Sequence, residues 1–234
     1  MVHAPSDLGY DDTNFILPPV NYHNHIINAK NNPINGMLFP LMANTLNERR
    51  GIRRESTNDR AEFAAEIANK SNEQMLIWCD MNNESALLKK LVDGAVEVTG
   101  SDTIAHKESA MMDFIDGNIK ILVSKPKICG YGMNYQCCHN MAFVGLSDSW
   151  EMFYQAVRRC WRFGQKSPVD VHIITHELEG AVLNNIKRKD ANAQRMAQNM
   201  IKHMADISSQ EIRATVQEKT EYQPTKKIEV PQWM

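Results

Sequence analysis

Several common signatures are missing from this sequence. Its 234 residues hold no Gly-x-x-x-x-Gly-Lys-[Ser/Thr] loop and no Asp-Glu box. A chain without them lacks both the backbone cradle for a triphosphate and the carboxylates that hold its magnesium ion. No apolar run approaches the length of a bilayer-crossing helix. The opening MVHAPSDLGYDD has no basic segment followed by an apolar one, so no secretion signal is expected. The five cysteines are odd in number and form no disulfide-like framework, which points to a reducing cytoplasm. Charge is nearly balanced, with a formal net value of -2, so any contact with nucleic acid must run through a local patch. No internal repeat is visible.

What is present is ordinary for a globular chain: 43% hydrophobic and 23% charged residues. The length suits one large domain with extensions, big enough to bury its own core. Residues 1–40, rich in Pro, Asn and His, read as an extended arm, with a short strand at Phe15–Leu17 stopped by Pro18-Pro19. Leu41 to Asn69 favours helix, interrupted near Gly51, with Ala61, Ala64, Ala65 and Ala68 at helical spacing. Arg49, Arg50, Arg53 and Arg54 cluster there; such a cluster reads first as a solvated helix face and second as a DNA contact.

Beyond this, short apolar runs alternate with helical stretches. Strands are expected at Met75–Cys79, Ala95–Val98, Ile119–Ser124, Met141–Gly145 and Val169–Thr175. Helices are expected at Glu84–Val92, Ser109–Ile115, Trp150–Arg162 and Glu177–Ala205. This alternation implies βαβ units and an open, doubly wound, mainly parallel α/β sheet with helices on both faces. The loops after Cys79, Val98, Ser124, Gly145 and Thr175 then share the edge where such sheets bind ligands. Met196, Met200 and Met204 lie four apart and read as a packing stripe. Residues 208–234 read as a polar tail, leaving 41–207 as the domain with its flanking helices.

The most specific string is Gln155–Gln165, QAVRRCWRFGQ. On a helix Gln155, Arg159 and Arg162 share one face. Guanidinium groups stay charged and fork onto phosphate oxygens, and phosphoryl transfer calls for such charge as the γ-phosphoryl group departs. Arg-x-x-Arg alone is most often an ordinary basic surface; the whole string says more. It resembles motif VI of the superfamily 2, Snf-like DNA helicases and translocases. The resemblance implies that Arg159 and Arg162 project into an open cleft and reach ATP held by another lobe, with Gln155 beside them. Arg158 stands where many members carry a small residue and receives no catalytic role.

A second string, SKPKICGYGMNYQ at Ser124–Gln136, resembles motif V of the same family, with its Gly-x-Gly-x-Asn core at Gly130, Gly132 and Asn134. Glycines there let backbone approach a phosphate or ribose. Lys125-Pro126 replaces the Ser-Thr that many members carry, so Ser124 or Lys125 would supply the DNA-phosphate contact. Weaker likenesses run through MLIWCDMNNESALLKKL (motif IV) and the segment before the motif V strand, so the resemblance covers Met75 to Thr175. The opening HAPSDLGYDDTNFILPP and closing VPQWM resemble the edges of helicase genes in phages and prophages, which implies a bacterial cytoplasm.

The family resemblance implies a C-terminal RecA-like lobe that grips the DNA backbone and supplies arginines to ATP and Mg2+ held mainly by a first lobe that is not in this chain. The rival reading is a stand-alone nucleic-acid-binding or regulatory module that kept the fold and lost catalysis. A third, an unrelated α/β nucleotide-binding enzyme, lacks a complete nucleotide loop. Cys137-Cys138-His139 has no CxxC partner, so no zinc site is expected. His176-Glu177 begins like a zinc-protease motif but has Gly180 where the second His belongs. Trp78 reads as core, whereas Trp161 suits either packing or stacking on a base.

Overall fold

The computed structural model describes residues 11, 16–28, 45–130, 132–179 and 181–214. Six strands form one wholly parallel sheet: β1 (Val20–Ile27), β2 (Met75–Cys79), β3 (Ala95–Val98), β4 (Ile121–Ser124), β5 (Asn140–Val144) and β6 (Val169–His176). Their order across the sheet is β1-β6-β5-β2-β4-β3. The helices are α1 (Leu46–Glu55), α2 (Thr57–Lys70), α3 (Asn82–Leu91), α4 (Ile104–Ile115), α5 (Pro126–Cys129), α6 (Trp150–Cys160) and α7 (Ala181–Ala214). This is the expected doubly wound α/β architecture.

Both faces of the sheet are apolar, as its buried strands require. On one face Met75, Ile77, Ile121, Val123, Ala142, Val144 and Ile174 pack with α2 and α3. On the other Leu76, Trp78, Leu122, Met141, Phe143, Val171 and Ile173 pack with α4, α6 and the start of α7. The alternation follows from the two-residue period of a strand. Trp78 is core, as expected, at 1% exposure. The alanines of α2 are all buried, and their small size lets that helix lie close to the sheet.

Two expectations change. β1 follows the Pro18-Pro19 pair rather than preceding it, and it joins the sheet edge in register with β6, Val20 opposite Val169 through Ile27 opposite His176; Phe15 lies outside the described residues. The break between α1 and α2 falls at Ser56, not Gly51. Gly51 stays inside α1, where a glycine costs only about 1 kcal/mol, while the Ser56 hydroxyl donates to Ile52 O at 2.8 Å.

The arginine cluster is a third correction, because two of its members are neither solvated nor free for DNA. Arg53 is 3% exposed and meets Asp80 at 3.0 Å, Asp148 at 3.6 Å and Glu179 at 3.4 Å. Arg49 pairs with Asp148. Two turns on from Arg53, in α2, the fully buried Arg60 meets Glu84 at 2.7 Å and Glu179 at 3.8 Å. The other Glu84 oxygen accepts the amides of Asp80 and Met81 at 2.9 and 3.0 Å. Burial raises the Glu179 carboxyl above its ordinary pKa despite Arg60 and Arg53. Gly145, at φ +83, closes the cluster: a Cβ there would lie 2.2 Å from Arg60 Nη1. The network ties α1 and α2 to the loops after β2, β5 and β6.

Breaking such a buried cluster from one side leaves charges without partners. Arg60→Met is therefore expected to cost about 3–5 kcal/mol in denaturant unfolding. The triple change Arg60→Met, Glu84→Gln, Glu179→Gln should recover a large part of that loss. A triple variant no more stable than the single one would show that charge pairing is not what Arg60 provides.

Histidines set the contact between β1 and β6. The His172 ring lies 4.9 Å from that of His23, and its Nδ1 is 3.0 Å from His25 Nε2, one of the two carrying the proton. His23 Nε2 meets Asp170 at 2.8 Å. Burial, then His23 and His25, push His172 down to about 4, and burial lowers His25 as well. A histidine whose pKa is depressed by folding stabilises the fold above its unfolded value, near 6.5, and loses that contribution as pH falls through the folded value. Stability should thus drop between about pH 6.5 and 4, by on the order of 1–2 kcal/mol after screening of these half-exposed rings. His172→Phe should flatten that slope in unfolding curves measured across the window.

Candidate functional site

The topology decides where the predicted residues lie. Helix α6 joins the parallel neighbours β5 and β6, so it runs back against them and ends near their N-terminal edge. Ser149 caps its start by accepting the Met152 amide at 3.3 Å, and its last residue is Cys160. Gln155 and Arg159 thus lie on the helix, and Arg162 lies in the turn just beyond it. The loop after α5 descends to the same edge before β5 begins.

These two segments are stitched together. Arg159 Nε donates to Gly130 O, and its Nη1 to Met133 O at 3.3 Å. Arg162 Nη1 donates to Asn134 Oδ1 at 2.7 Å. The Tyr135 amide donates to Arg159 O at 2.8 Å, and the buried Tyr135 hydroxyl to Cys129 O at 3.2 Å. Gln165 Nε2 reaches Cys138 O at 3.0 Å, Gln136 O at 3.2 Å and Cys160 O at 3.3 Å. Its Oε1 accepts the amides of Lys166 and Ser167. Gln136 in turn donates to Phe163 O. Cys138 and Cys160 are buried at this joint, and their mutual contact together with burial holds the Cys160 thiol well above its ordinary pKa.

The glycines fit their places. A Cβ on Gly130 would lie 2.1 Å from Pro126 O, and Gly132 has φ +84, a conformation that disfavours other residues. Arg162 and Asn134 are exposed, whereas Arg159 and Gln155 are half-buried. The structure thus brings Arg159, Arg162, Gly130, Gly132 and Asn134 together, with Gln155 one turn up the same helix. It differs from expectation in two respects: the joint lies at the N-terminal edge of β5 and β6 rather than beyond the carboxyl ends of the strands, and Arg159 does not project into open space but turns onto the loop before β5. Arg158 lies over the Trp161 ring at 4.9 Å, and the Trp161 indole donates to Pro18 O at 2.7 Å. Trp161 is therefore occupied by packing.

Ser124 and Lys125 sit apart, at the opposite edge. Ser124 is fully buried and its hydroxyl donates to Val98 O at 2.7 Å, so the hydroxyl faces a neighbouring strand rather than solvent. Lys125, half-buried, directly precedes α5, which has Pro126 in its first turn. Sequence reasoning gave no role to Gln165, Gln136 or Tyr135. Gln165 stood in the motif itself, and its place beside Gly164 was the available signal.

In chemical terms the joint offers two guanidinium groups and an amide side chain, suited to oxygens of a phosphoryl group. Among the described residues no group of three or more His, Cys, Asp or Glu side chains is arranged to hold a metal. No described helix is long and apolar enough to cross a membrane.

This arrangement has the fold of a RecA-like helicase C-terminal lobe. Residues 59–164 match the helicase conserved C-terminal domain, a stretch that runs from α2 to the glycine after the arginine pair. The C-terminal domain of the DEAD-box protein Dbp5 is similar in structure: 12% identity, 75% of this chain and 87% of that one, TM-score 0.52. T4 UvsW is similar at 15% identity over 66% of this chain and 32% of its own, TM-score 0.51. The C-terminal part of the Fun30 ATPase domain shares 21% identity over 49% of this chain, with TM-score 0.45, and this chain covers 39% of it. The chain therefore spans well under half of two of these three. No curated protein sequence matches it.

If Arg159 holds the loop, removing it should loosen the loop without unfolding the lobe. Arg159→Ala is expected to raise amide hydrogen exchange selectively between residues 130 and 138, with the protection of β2 and β5 unchanged. Unaltered exchange in that loop would show that the contacts to Gly130 O and Met133 O do not restrain it.

Proposed function

We infer that this chain is the second lobe of an ATP-driven, Snf-like DNA helicase or translocase. In this reading Arg159 and Arg162 contact the terminal phosphoryl group of ATP held with Mg2+ on a first RecA-like lobe. Gln155, Gly130, Gly132 and Asn134 line the same contact. DNA is gripped through its phosphate backbone, without base specificity, from the opposite edge near Lys125. The bound nucleotide would supply the energy of the stroke; this chain's part is to sense it and move with the loop. A phage or prophage protein in a bacterial cytoplasm is the setting this reading implies.

One observation carries the reading. The two arginines and the Gly-x-Gly-x-Asn loop, 25 or more residues apart in sequence, are joined at one edge of the lobe, Arg159 to loop backbone and Arg162 to the Asn134 side chain. A basic surface helix would have no reason to hold a glycine loop in this way. The carboxylate-poor joint also fits a division of labour in which the metal ligands come from the other lobe. The rival reading, an inactive nucleic-acid-binding or regulatory module, draws support from Arg159 itself, whose charge is directed into its own lobe.

Reconstitution with a first lobe separates the two. The chain alone should hydrolyse ATP negligibly. In the two-lobe motor Arg162→Ala should lower DNA-stimulated turnover by about a hundredfold or more, within the range arginine fingers contribute. Arg162→Lys should rescue poorly, since an ammonium cannot fork onto two oxygens. Arg158→Ala, around the helix over Trp161, serves as the control and should do far less. Full turnover by the Arg162→Ala motor would remove the main support for this reading.

A further inference from the structure

We propose that the outer edge of β1 is a homotypic docking strand, through which two copies of this chain join their sheets antiparallel across a two-fold axis at Asn24.

The argument begins with hydrogen-bonding direction. A strand in a parallel pair turns the N–H and C=O of alternate residues toward its neighbour. The Val169 amide donates to Pro19 O at 2.9 Å, and β1 and β6 stay in unbroken register from there to Ile27. Odd-numbered residues of β1 therefore face β6, and Val20, Tyr22, Asn24 and Ile26 turn their backbone groups outward. β1 is outermost in the sheet, and among the described residues no strand pairs with that edge.

Open edges are ordinarily protected by charge, proline, a bulge or brevity. The opposite edge strand, β3, is short at four residues and carries Glu97. β1 has eight residues, VNYHNHII, with no charged carboxylate, lysine or arginine and no proline. It also exposes two large apolar side chains, Tyr22 at 49% and Ile26 at 60%.

Those two residues identify the occupant. They lie on the same face of β1, two residues on either side of Asn24. An antiparallel copy centred on Asn24 places Tyr22 opposite Ile26 of the second copy, and Ile26 opposite its Tyr22. Aromatic and β-branched residues are favourable partners directly across a strand pair. Asn24 meets its own counterpart, and every outward N–H and C=O from Tyr22 to Ile26 finds a partner. Any antiparallel strand could satisfy these backbone groups; what favours a second copy in this register is the side-chain pattern, which sets exposed Tyr22 against exposed Ile26 at both ends of the pairing. The interface is narrow, so a weak, concentration-dependent dimer is expected.

Sedimentation velocity of the full 234-residue chain over a wide dilution series tests this. The wild type should shift from monomer to dimer as concentration rises. Asn24→Pro removes an N–H that no described residue accepts, so it should stay monomeric while melting at the wild-type temperature. His23→Pro removes an N–H that faces β6 and should lower that temperature, which checks the assigned direction. Under oxidised glutathione, Asn24→Cys should give a reducible covalent dimer beyond any formed by the wild type. A wild type that stays monomeric throughout overturns the proposal. So does a dimer that Asn24→Pro leaves intact, because another surface then joins the copies. Cross-linking through His23→Cys in place of Asn24→Cys would shift the axis and overturn the Tyr22–Ile26 pairing.

Discussion

The joint between the end of α6 and the loop leading into β5 is what the candidate site depends on. Arginine at its centre holds a full positive charge against carbonyl oxygens that carry only partial negative charge. Hydrogen bonds from charged donors are strong, so the loop is well held when no anion is near. A phosphoryl group brings much more charge to the same donors. It would compete with Gly130 O and Met133 O for Arg159, and with Asn134 for Arg162. On the proposed reading, nucleotide contact is therefore coupled to freedom of the loop. Gln165 keeps the remainder in place, since its amide holds three backbone carbonyls, two from the loop before β5 and one from the end of α6.

The opposite edge is built on a different principle. There, charges are matched to one another inside the protein. Arg53 and Arg60 are absorbed by Asp80, Asp148, Glu84 and Glu179, leaving Arg50 and Arg54 exposed on α1. An arginine locked to buried carboxylates releases no DNA counterions and contributes little to backbone binding. This network makes α1 and α2 part of the lobe instead of a basic arm laid over it. Gly145 shows how tight the fit is, because any larger residue would collide with Arg60.

The sheet was largely legible in the sequence, and the reasons are local. β2 and β3 are short apolar runs bounded by polar or glycine turns, so their limits could be read residue by residue. The motif strings singled out the arginine pair and the glycine loop because each carries its own pattern; that the two segments meet is shown by the structure. β1 was not legible. Half of VNYHNHII is polar, as an edge strand allows, and the strand is recruited by its register with β6 rather than by its own apolarity. The buried arginines were hidden for a related reason: the partners of Arg53 lie 27 to 126 positions away, and nothing near Arg53 or Arg60 announces burial. Arg159 turning onto the loop before β5 was equally a matter of what the fold placed opposite it.

Helix α7 makes the same point in geometry. Its 34 residues extend about 51 Å at the usual rise, while an eight-residue strand of this sheet spans about 26 Å. The first turns can bury Val182 and Ile186 against the sheet, but the helix must then run past it. Asp190, Ala193, Ala197 and Ile201 remain half-buried at helical spacing, yet Met196 and Met200 are 68% and 43% exposed. Met196 and Met200 of the stripe read from the sequence thus do not pack within the lobe as expected, while the side chain of Met204 lies outside the described residues. Periodicity in a sequence establishes that a helix has an apolar face; the topology alone determines whether anything stands opposite it.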